Sequence, residues 1–80
     1  MSKIVDTIAE LNYEAVVWDG FDDAIIGYHR DGKAVYDEDK MVKILMERDG
    51  FTIEDAMEYL NFNVFCAYVG EYTPIHITLL

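Results

Sequence analysis

The sequence predicts an α+β fold: a small antiparallel sheet, in the element order α-β-β-β-α-α-β, covered by two helices. Three observations predict it. Glu38–Arg48 and the stretch that starts at Thr52 each follow a helix-start signal and carry apolar residues at helical spacing. Asp31-Gly32 stands between two short apolar runs, which is the pattern of a β-hairpin. The last residues alternate in the way a half-buried strand does.

The first element is a helix over Lys3–Leu11, with Ser2 as its N-cap. Ile4, Ile8 and Leu11 give it an i, i+4, i+7 stripe, and Asn12 stops it. Tyr13–Trp18 reads as a first strand, "DGFDD" as a turn and Ala24–His29 as a second strand. Gly27 inside that strand predicts a bulge or a close backbone approach. Asp31-Gly32 suits a two-residue hairpin turn, since both central positions of that turn need positive φ, and Ala34–Tyr36 returns.

Asp37 then caps the helix Glu38–Arg48. Met41, Val42, Ile44, Leu45 and Met46 form its apolar face, while Lys40, Lys43 and Glu47 form the wet one. Asp39–Lys43 is an i, i+4 pair in the favourable order, and Lys43–Glu47 is the weaker reverse. Gly50 suits the left-handed position after the C-cap. Thr52, with Asp55 three residues on, opens the next helix. Ile53, Ala56, Met57, Leu60 and Val64 are its expected buried stripe, and it ends around Gly70. Pro74 begins an extended tail in which Ile75, Ile77 and Leu79 alternate with His76 and Thr78. That tail can pair within the sheet or across a dimer.

The chain is one domain, residues 1–80, with no repeat and no internal linker. Its hydrophobic content of 52% excludes a disordered acidic tail. So short a chain has too much surface for its volume to hide that many apolar side chains in one core. The surplus predicts a contact surface, with a homodimer as the simplest use of it. The net charge of −10, from sixteen acids against six bases, disfavours direct binding to nucleic acid or to anionic membranes. A basic protein surface, or a nucleic-acid-binding protein occupied by an acidic DNA mimic, fits the charge. Keeping a sticky small protein in solution fits it equally. "MSKIVDTIAEL" has no long apolar region, so no signal peptide is expected, and no apolar run reaches the roughly 20 residues of a membrane helix. The single cysteine, Cys66, fits the cytoplasm.

Catalytic chemistry finds little support in these residues. Cys66 with His29 or His76 is the one nucleophile–base combination on offer. Its flanks, "VFCAYV", are apolar and would raise the thiol pKa, so Cys66 reads as a small buried hydrophobe. His29 is expected exposed beside the hairpin, His76 on the wetter face of the tail, and Trp18 in the core. Cysteine and histidine are too few and too scattered for a structural zinc site, and neither acidic run has calcium-loop spacing. No metal, no cofactor and no enzyme activity are expected.

In "EYLNFNVFCAYVGEYTPI" (58–75) the outer face of the helix turns from acidic to aromatic. Asp55, Glu58, Phe62 and Phe65 lie at i, i+3, i+7, i+10, so the later turns need cover on a second side. The chain's own tail or a second copy can supply it, and the second copy is favoured here. Phe62, Phe65, Tyr68 and Tyr72 are the candidates for self-association. Asp37, Glu38, Asp39, Glu54, Asp55 and Glu58 are the candidates for partner contact. If buried, Asn61 and Asn63 need hydrogen-bond partners, and one of them is expected to tie down the backbone of the "GEYTP" turn.

Residues 36–75 carry a "YD" start (Tyr36-Asp37), a "DG" turn (Asp49-Gly50), an "EDAxEYxxFN" helix (Glu54–Asn63) and a "GExTPI" tail (Gly70–Ile75). Together with "DDAIIG" (Asp22–Gly27), this resembles a family of small phage and bacterial proteins. The resemblance covers half to two thirds of the chain and carries no catalytic residues. It implies a phage-encoded, acidic inhibitor of a host defence system, with BREX restriction one candidate target. Such a protein would act by direct binding to a host protein in the host cytoplasm.

Overall fold

The structure, a computed structural model, describes residues 3–80. It is an α+β fold with three helices and a three-stranded sheet. Helix α1 spans Lys3–Leu11 and packs inward through Ile8; Ser2, its expected cap, lies outside the described residues. Asn12 stops α1, as expected. Its Oδ1 accepts from the Glu14 N–H at 3.1 Å and its carbonyl from the Ala15 N–H at 3.0 Å. Its Nδ2 reaches across the fold to donate to the Gly32 carbonyl at 3.0 Å.

The expected strand Tyr13–Trp18 does not form. The Asn12 turn takes the first backbone donors of this segment, and the Trp18 N–H goes to the Tyr36 hydroxyl at 2.7 Å. A short 3-10 turn, Asp22–Ala24, leads instead into β1 (Ile25–His29), which pairs antiparallel with β2 (Lys33–Asp37). The register slips between Ile25 and Gly27, which is the bulge that Gly27 predicted. The hairpin loop holds three residues, Arg30–Gly32, rather than two. The Gly32 N–H donates to the His29 carbonyl at 2.9 Å, and Gly32 alone in the loop has positive φ, +94°.

Helix α2 (Glu38–Asp49) starts at Asp37, whose Oδ1 accepts from the Asp39 N–H at 2.9 Å, and ends on Gly50 at φ +72°. Both caps match the sequence reading. Of the two expected ion pairs on α2, the Asp39–Lys43 contact is not formed, and Lys43–Glu47 is a loose, exposed contact at 3.9 Å. At its far end the Arg48 guanidinium donates to the Gly20 carbonyl at 2.8 Å and sits 5.4 Å from the centre of the Phe21 ring. It thereby ties α2 to the loop before β1.

Helix α3 (Ile53–Leu60) starts at Thr52, whose Oγ1 accepts from the Asp55 N–H at 3.1 Å. It widens into one π turn, Asn61–Phe65. There the Asn63 side chain donates to the Tyr59 carbonyl at 2.9 Å, the acceptor its own N–H would use in an α-helix. The helix stops at this turn and does not run on to Gly70. The "GEYTP" turn is held by Thr73, not by an asparagine: its Oγ1 accepts from the Val69 N–H at 3.0 Å and donates to the Gly70 carbonyl at 2.7 Å.

Strand β3 (Ile75–Ile77) pairs within the chain, parallel to β2, so the sheet is mixed with β2 at its centre. Helices α2 and α3 supply the crossover that a parallel pair needs. The core gathers Tyr36 from β2, Met41 and Leu45 from α2, and Leu60 from α3, all fully buried. Ile8, Phe21, Ile25 and Val64 close it.

Candidate partner-binding surface

α2 turns Met41 and Leu45 to the core, and α3 turns Ala56 and Leu60 there. A helix rotates about 100° per residue, so Met57 points about 80° from the direction that Ala56 and Leu60 share. The sheet and α2 do not reach that far round. Ile53 and Met57 were expected to be buried and are 55% and 50% exposed. With Val42 and Met46 of α2 and Phe65 of the π turn they line an apolar groove of about 360 Å³ between the helices. Glu38, Asp39 and Lys43 rim it, and Thr78 borders it.

A second depression, of about 350 Å³, lies on the other flank of α3 and joins Phe51, Tyr59 and Phe62 to Asp55 and Glu58. Phe51 and Tyr59 meet edge to face, 5.9 Å between ring centres. The six acidic candidates thus divide. Glu38 and Asp39 belong to the groove, Asp55 and Glu58 to the depression, and Glu54 is exposed and lines neither. Asp37, 5% exposed, is occupied in starting α2 and presents little to a partner.

The aromatic candidates divide as well. Phe62 and Tyr68 are 79% and 81% exposed. Phe65 packs against the core, and Tyr72 lies against the hairpin turn at Gly32. The expectation that these turns are wrapped on both sides therefore fails within the chain. Cys66 is exposed rather than buried, because the helix ends beneath it and nothing covers the turn that follows. Among the described residues, no group of three or more His, Cys, Asp or Glu side chains is placed to hold a metal.

His76 is the largest departure from the sequence reading. It faces inward, stacked on Trp18 with 6.0 Å between ring centres, tilted over Phe65 at 5.0 Å and beside Tyr36 at 6.0 Å. The Trp18 indole donates to its Nε2 at 2.8 Å. An indole N–H can only donate, so Nε2 is unprotonated and the neutral ring carries its proton on Nδ1. Burial lowers the His76 pKa below its ordinary 6.5. A lowered folded pKa means that the unfolded chain takes up the proton more readily. His76 therefore contributes stability that is present above about pH 6.5 and is lost as pH falls through its lower folded pKa. The urea midpoint should fall between about pH 7.5 and about pH 5.5, and by less in a His76→Phe variant. An equal fall in both proteins would remove His76 as the cause. His29, by contrast, serves its own hairpin, its Nδ1 accepting from the Asp31 N–H at 3.1 Å.

No family model, curated protein or solved structure matches the chain. Among the described residues no helix is long and apolar enough to cross a membrane.

Proposed function

We propose that the protein is a non-enzymatic binding protein that acts by direct contact with another protein. Following the resemblance of residues 36–75, the reading extends to a phage-encoded inhibitor of a host defence protein, BREX among the candidates, acting in the host cytoplasm. One observation carries the binding role: α3 leaves apolar side chains exposed on both flanks of its buried stripe, Ile53 and Met57 on one and Phe62 on the other. Folding alone gives no reason to keep large apolar groups in water on two sides of one short helix. The carboxylates beside them, Glu38 and Asp39 on one flank and Asp55 and Glu58 on the other, add a preference for a basic partner.

Affinity capture from host cells that express tagged protein, read by mass spectrometry, tests this reading. One host protein should be enriched by the wild-type chain and lost with Met57→Lys or Phe62→Lys. Enrichment of nothing, or equal enrichment by all three proteins, would remove the reading.

Self-association through Phe62 and Tyr68 is a second use of exposed aromatic surface, favoured by their exposure. The two uses respond oppositely to salt. Screening relieves repulsion between two chains of charge −10 and strengthens a dimer, whereas it weakens contact with a basic partner. Sedimentation of the wild-type chain at low and high salt separates them.

A further inference from the structure

We propose that the groove between α2 and α3 seats a basic amphipathic helix of the partner protein. This rests on the binding-protein reading and assigns the site and the chemistry of what fills it. The two walls are helical stripes, Val42 and Met46 from α2 and Ile53 and Met57 from α3, with Phe65 of the π turn joining them. An apolar cleft walled by two helices can seat an amphipathic helix, read by anchors at i, i+3, i+4 and i+7. Met46 and Met57 have unbranched, polarizable side chains that repack around differently shaped anchors.

Charge selects the occupant. Glu38 and Asp39 stand at the rim with no ion-pair partner among the described residues. The rim's one base, Lys43, lies 3.9 Å from Glu47. An incoming Lys or Arg beside the apolar anchors answers those two carboxylates, and the −10 of the whole chain steers it in. A second copy brings another −10, and the same two carboxylates, to the same rim. The chain's own tail does not fill the groove, since Thr78 borders it while Leu79 stays exposed.

The test uses the full chain and a fluorescein-labelled amphipathic peptide of Leu and Lys, with Leu at i, i+3, i+4 and i+7, followed by anisotropy. Binding should saturate and weaken as salt is raised. Met57→Lys and Ile53→Lys should each weaken it by about tenfold or more, the loss of one buried anchor. Tyr13→Lys adds the same charge at a side chain that is 85% exposed and does not line the groove, so it should change affinity by less than about threefold. Circular dichroism confirms that each variant is folded. A peptide of the same composition with its leucines spread around the helix should bind more weakly than the amphipathic one. Equal losses with Tyr13→Lys and Met57→Lys, equal binding of the two peptides, or no binding at all would overturn the groove assignment. Capture of a host protein in cells that survives Met57→Lys but not Phe62→Lys would also overturn it, while leaving the binding-protein reading in place.

Discussion

A Gly32→Ala protein should lose about 3–4 kcal/mol of stability, a quarter or more of the roughly 4–12 kcal/mol that a chain of this size commands. Two independent effects add. Gly32 has φ +94°, where a residue with a Cβ costs about 1–2 kcal/mol. Its Cβ would also stand 2.6 Å from Asn12 Nδ2 and 2.8 Å from the Tyr72 ring, so both side chains must move. Moving Asn12 breaks its bond to the Gly32 carbonyl, the link between the end of α1 and the hairpin. At about 4–8 °C per kcal/mol, the melting temperature should drop by about 12–30 °C. Two controls isolate the causes. Gly50→Ala carries positive φ with no atom near the new methyl, so it should cost only the conformational part, about 1–2 kcal/mol. Gly27→Ala has neither problem and should be close to neutral. Equal melting temperatures for the Gly32 and Gly50 variants would show that the clash is relieved without cost.

Tyr36→Ala should be as damaging, at about 3–5 kcal/mol, because it empties the largest fully buried site in the centre of the sheet. Tyr36→Phe separates the ring from the hydroxyl. The hydroxyl accepts the Trp18 N–H at 2.7 Å, and its removal leaves a partly buried donor unpaired, at about 1–3 kcal/mol. Burial, opposed by that same N–H and assisted by the Asp22 carboxylate, pushes the Tyr36 phenol up to about 12. The hydroxyl is therefore neutral throughout the useful pH range and keeps its acceptor role. Denaturant midpoints give the stabilities, and the one tryptophan, Trp18, reports locally through its emission. A Phe variant as stable as wild type would show that water replaces the hydroxyl at Trp18.

What the sequence made legible was whatever depends on neighbours a few residues away. Asp37 and Thr52 cap α2 and α3, Gly50 takes the left-handed conformation and Gly27 marks a bulge, since each is decided within one turn of backbone. Tyr13–Trp18 has strand chemistry, yet the Asn12 turn and the Tyr36 hydroxyl claim its donors, and neither partner is visible from the segment itself. His76 defeated the alternation argument for a related reason. Its strand runs parallel beside β2, and its inner face is chosen by Trp18, Tyr36 and Phe65, all distant in sequence. On α3, apolar periodicity put Ile53 and Met57 in one buried stripe with Leu60, and the structure leaves both half exposed. Periodicity counts apolar residues without saying how wide a neighbour covers them. The same gap left Cys66, between apolar flanks, looking buried when the helix in fact ends beneath it.

The parallel pairing of β3 with β2 also sets an order of assembly. Val35 meets Ile75 across forty residues, whereas β1 meets β2 across a three-residue loop and each helix closes on itself. Closing the longer loop costs more chain entropy and waits until α2 and α3 have brought its ends together. The strand that docks last is then also the one that lays His76 on Trp18. The single tryptophan reaches its final environment only when the whole chain has folded.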